Sequence, residues 1–66
     1  MVQVHLVSFS LRGLDGNYSY INAVNSMNSW LSLREDVKVV SVETEYDGRH
    51  ASKILLWFQI EVLVAD

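Results

Sequence analysis

Sixty-six residues with three Gly, no Pro and no Cys can build one small domain, and they exclude a disulfide framework, a thiolate metal site and a cysteine nucleophile. Half of the residues are hydrophobic and 20% are charged, which excludes a disordered or collagen-like chain. Five Lys and Arg against eight Asp and Glu give a formal charge of −3 with the basic residues scattered, so nucleic acid is not an expected partner.

The first element runs from Val2 to Leu11, a β-prone segment bounded by Arg12-Gly13-Leu14-Asp15-Gly16-Asn17, whose two Gly and Asp/Asn pair are turn chemistry. Val2, Val4 and Leu6 share one face of this strand; Val7, Phe9 and Leu11 share the other with Gln3 and His5. Either a bulge shifts the phase near Leu6 and Val7 or both faces are covered.

From Tyr18 to Leu33 the apolar positions Tyr20, Val24, Met27 and Leu31 recur at helical spacing, with Ile21, Ala23 and Trp30 flanking the stripe. Asn17 or Ser19 is the expected N-cap. The polar face of Ser19, Asn22, Asn25, Ser26, Asn28, Ser29 and Ser32 is free of charge, and no charged residue lies between Asp15 and Arg34. Ser and Asn are mediocre helix formers because their side chains compete for backbone hydrogen bonds, so this helix depends on packing.

Val37 to Tyr46 and Ser52 to Ala65 read as a β-hairpin around Tyr46-Asp47-Gly48. A two-residue Asp47-Gly48 loop would pair Val42 with Lys53 and set the apolar sides of the two strands on opposite faces. A three-residue loop with Gly48 left-handed pairs Glu45 with Arg49 and Val40 with Ile54, placing Val40 and Val42 beside Ile54, Leu56, Phe58, Ile60, Val62 and Val64; this register is the expected one. The third strand is the longest and most apolar, so it is expected in the centre.

The predicted fold is α+β. Residues 1–66 form a single βαββ domain with a three-stranded antiparallel sheet of order 2-3-1 and one helix packed on one face. One helix leaves the opposite face uncovered. Val37, Val39, Leu55, Trp57 and Leu63 are expected there, a Trp-centred apolar patch larger than monomers usually tolerate. A homo-oligomer follows as the expectation, most simply a two-fold dimer that packs sheet on sheet or joins edge strands.

Chemistry-bearing motifs are sparse. His5 and His50 lie on separate elements without the spacing of a metal site, and neither metal nor cofactor is expected. Glu43, Glu45 and Asp47 alternate along one strand with Glu35 and Asp36 just before it, which reads as a solvated edge discouraging strand addition. Gly13 and Gly16 make only a G-x-x-G turn, no G-x-S-x-G occurs, and an enzyme is not expected. The run from Lys53 to Asp66 is broken by Gln59 and Glu61 and falls short of the ~20 residues of a membrane helix, and the N-terminus lacks a signal pattern. A soluble, cytoplasmic protein with no membrane contact is expected.

Two function classes remain. The first is a small acidic oligomeric protein-binding module, a regulator or inhibitor of a larger protein of the kind that phages and mobile elements encode. Tyr18, Asn22, Asn25, Ser29 and Trp30 on or beside the neutral helix face are its candidate partner contacts. The second is an oligomer that sequesters or senses a small anionic ligand at subunit interfaces, with Arg12, Arg34, Arg49 and His50 as candidate contacts.

Overall fold

The computed structural model describes residues 1–62. The chain runs β1 (Val2–Ser10), α1 (Tyr20–Ser32), β2 (Val37–Asp47) and β3 (His50–Glu61). The three strands form one antiparallel sheet in the order β1-β3-β2, so the fold is α+β with its most apolar strand in the middle. Central placement suits β3, whose side chains are apolar on both faces. The predicted extension of this strand to Ala65, with Leu63 and Val64, lies outside the described residues.

β1 pairs with β3 without interruption, from Val2 opposite Glu61 to Ser10 opposite Lys53. The bulge considered near Leu6 is absent, and both faces of β1 carry apolar side chains. Phe9 is buried and Val7 packs against the core, whereas Val2, Val4 and Leu6 are exposed on the other side.

The hairpin departs from the expected register. Its loop is Gly48-Arg49 between the paired Asp47 and His50, not Tyr46-Asp47-Gly48, and Glu45 sits opposite Lys53 rather than Arg49. Gly48, at φ +64°, occupies the first loop position, where a type II′ turn takes glycine. Two register shifts follow, one between Glu45 and Tyr46 and one between Val39 and Ser41 that leaves Val40 unpaired. Val42 lies opposite Leu56, on the face expected for it. Upstream of the unpaired Val40 the phase is inverted, so Val39 meets Phe58 and Val37 meets Ile60.

Between β1 and α1 the chain reverses through a short loop. Asn17 N–H donates to the Asp15 carboxylate at 3.0 Å, Gly16 adopts φ +82°, and Gly13 N–H reaches Asn17 O at 2.8 Å. Ser19 then caps the helix, its extended backbone placing Oγ 3.3 Å from Ile21 N–H. Ala23 is fully buried with Phe9, Leu11, Ile54, Leu56 and Phe58; Val24, Met27, Trp30 and Leu31 pack against that cluster. Trp30 stands edge-on to Phe58 at 4.8 Å and to Phe9 at 6.1 Å between ring centroids.

Helix and sheet are mismatched in length. At ~1.5 Å per residue the 13-residue helix spans about 20 Å, whereas at ~3.3 Å per residue the 12-residue β3 spans about 40 Å. The molecule is accordingly a flat ribbon of 49 × 23 × 13 Å.

Candidate functional site

The patch expected behind the sheet is divided between two faces. Leu55 and Trp57 point away from Leu56 and Phe58 by strand alternation, with Leu6 opposite Trp57 and Val4 opposite Gln59. Val37 and Val39 instead share the face of Ile60 and Phe58, because the extra residue Val40 reverses their phase. Leu63 is outside the described residues. In place of the two valines, the Trp57 face gains Val2, Val4 and Leu6 from β1, which are 55%, 58% and 47% exposed. Their alternation is plain in the sequence, but only the pairing partner shows that it falls beside Trp57.

A second apolar surface belongs to β2. Val39 and Val42 share the face of the core yet are 44% and 51% exposed, since the buried helical contacts fall on β1 and β3. Tyr46, at the turn end of the same strand, meets the start of the helix; hydrogen bonding to Tyr20 raises the Tyr46 phenol above its ordinary pKa.

The neutral helix face is partly occupied with internal bonding. Asn22 Nδ2 donates to Leu11 O at 3.1 Å, which makes this half-buried side chain a clamp between helix and loop. Ser26 and Ser32 return their hydroxyls to Asn22 O and Ser29 O within the helix. Trp30 is half-buried against Phe9 and Phe58, and the Arg34 guanidinium lies over its ring. Of the five residues singled out for partner contact, Tyr18, Asn25 and Ser29 remain as exposed groups. Asn25 borders a shallow depression with Ser10, Arg12, Gly13, Asn22 and Ser26.

Of the four candidate anion contacts Arg34 lies apart, whereas Arg12 and His50 line hollows that share Tyr18, Asp47 and Ser52. Arg12 follows β1 near the start of the helix, Arg34 closes the opposite end of the helix against Trp30, and Arg49 lies in the hairpin loop. His50 lines a hollow with Tyr18, Asp47 and Ser52, where the Asp47 carboxylate opposes an anion. His5 stacks on Phe58 at 5.5 Å and lies 3.2 Å from Gln3 Oε1. Among the described residues no three His, Asp or Glu side chains gather as a metal site, and no helix is long and apolar enough to cross a membrane.

No protein-family model matches this chain, and neither a curated protein nor a solved structure matches it. Two exposed apolar surfaces stand out in the geometry: a stripe from Val2 to Leu6 beside Trp57, and a shorter one along β2.

Proposed function

We propose that this chain is a small acidic protein-binding module that self-associates through its sheet and docks on a larger protein as a regulator or inhibitor. The observation that carries the reading is the exposure of apolar side chains on both sides of one thin sheet. The contacts of Ala23, Val24, Met27 and Trp30 support a helix that covers only the Leu56 face, and that over part of its length.

Size and shape point the same way. A compact chain of this length has a radius of gyration of about 11 Å, against 14.1 Å here. A 7.5 kDa monomer has an accessible surface of about 4,250 Å², against 5155 Å² here. The excess of about 900 Å² is close to the ~800 Å² that one partner buries in a standard interface. Exposed Asn25 and Ser29 on the uncharged helix face, with Tyr18 at its start beside Asp47 and His50, supply adaptable hydrogen bonds for a further protein.

Sedimentation equilibrium together with affinity capture from a lysate tests the reading. The expected result is an oligomer that brings down a stoichiometric partner. A compact monomer at micromolar concentration that captures nothing overturns it.

A further inference from the structure

Among the described residues nothing pairs with the outer edge of β1, and we infer that a second copy of this chain pairs with it antiparallel, about a two-fold axis at Leu6, to make a continuous six-stranded sheet. This inference rests on the self-association proposed above and assigns it a place.

The backbone pattern fixes which groups face outward. Met1 and Val62 exchange both of their backbone bonds, at 3.1 and 2.7 Å, and Leu11 N–H donates to Ser52 O at 2.9 Å. In an antiparallel ladder the bonded partners alternate, so the odd-numbered residues of β1 direct N–H and C=O toward β3. Val2, Val4, Leu6, Ser8 and Ser10 direct theirs away from the sheet. Leu6 is both an outward-facing residue and the midpoint of Val2–Ser10. Pairing the strand with itself about Leu6 therefore sets Val4 against Ser8 and Val2 against Ser10, and leaves no outward group of the strand unmatched.

Charge separates this edge from the other one. Val2–Ser10 holds no Asp, Glu, Lys or Arg, so two copies of a chain of net charge −3 can meet there without opposed carboxylates. β2 carries Lys38, Glu43, Glu45 and Asp47 and the irregularity at Val40, the usual devices against strand addition. The same pairing brings the two Leu6 side chains together on the Trp57 face and joins the two Val2–Val4–Leu6 stripes into one surface. The area argument fits a second copy: the surface in excess of a compact monomer is about what a stable dimer removes from each chain.

Native mass spectrometry and cross-linking of the intact chain test the assignment. The wild type is expected at twice the monomer mass. Val4→Pro removes an N–H directed away from β3, and is expected to give a monomer with an unchanged far-UV spectrum; Val42→Lys on β2 is expected to stay dimeric. Because directly opposed Cβ atoms lie ~5 Å apart, a short bis-maleimide is expected to link Leu6→Cys chains in pairs and to leave Thr44→Cys chains single. The cysteine pair reads the edge even if the proline variant fails to fold. A monomeric wild type overturns both this inference and the self-association beneath it. A dimeric wild type that links through Thr44→Cys, or in which folded Val4→Pro remains dimeric, overturns the β1 edge alone.

Discussion

The Arg34 guanidinium lies 4.1 Å from the centroid of the Trp30 ring while its Nη1 donates to Trp30 O at 3.1 Å. One side chain thus satisfies a carbonyl in the last turn of the helix, answers the negative end of its dipole and closes the ring that meets Phe9 and Phe58. Arg34→Ala should lower stability by about 1 kcal/mol, the sum of a modest cation–π contact and a C-terminal charge. Arg34→Lys should restore only part, because an ammonium cannot stack as a plane. Urea unfolding read by tryptophan fluorescence checks both; equal midpoints for wild type and Arg34→Ala would make the contact energetically idle.

Gly13 and Asn22 are related in a similar way. A Cβ at Gly13 would stand 2.7 Å from Asn22 Nδ2, the atom that donates to Leu11 O at 3.1 Å. Gly13→Ala should therefore act by dislodging that amide, and Asn22→Ala by deleting it, each at a cost of about 1 kcal/mol for one hydrogen bond to a carbonyl. The double variant should cost little more than either single one, since both break the same bond. Fully additive losses in a double-mutant cycle would refute the shared mechanism.

Elements and strand order were legible in this sequence, because the helical period of Tyr20, Val24, Met27 and Leu31 and the two-faced apolarity of β3 each admit one reading. Register was not. Gly48 supplies the positive φ of the loop whether it is the last of three residues or the first of two, so turn composition leaves the pairing open. Val39 and Val40 are identical side chains, and no pattern can tell which one the ladder leaves out. The faces of Val37 and Val39 hang on that residue. On the helix, periodicity gives Asn22 and Trp30 a direction, but not the Leu11 carbonyl that Asn22 bonds or the Phe9 and Phe58 rings that Trp30 meets.

Asp15 should give the loop a pH dependence on the acid side. Its carboxylate accepts the backbone N–H of Asn17 and then the Asn17 side-chain amide, both at 3.0 Å, and these bonds hold its pKa below the ordinary value. A carboxyl whose folded pKa is depressed stabilises the fold above its unfolded value, about 3.9, and that contribution fades as pH falls through the folded value. Asp15→Asn should flatten stability against pH below about 4 and leave neutral behaviour nearly unchanged. A carboxyl titration by NMR that places Asp15 at or above the ordinary value would contradict this account.

Leu56 and Trp57 are neighbours in sequence on opposite faces of β3, and their variants should fail differently. Leu56 has no exposed surface, and Leu56→Ala should cost about 2–5 kcal/mol, comparable to the whole stability of a small domain, at every protein concentration. Trp57 is half-buried beside Leu6 on the face away from the core, so Trp57→Ala should act chiefly on association. For a protein stabilised by its own dimer, the urea midpoint rises with protein concentration by mass action. Wild type should show that rise and Trp57→Ala should show less of it, with the two curves converging at high dilution. If Trp57→Ala is as damaging as Leu56→Ala at the lowest concentration, Trp57 belongs to the core of the single chain. The Trp57 side chain then takes no part in holding a second copy.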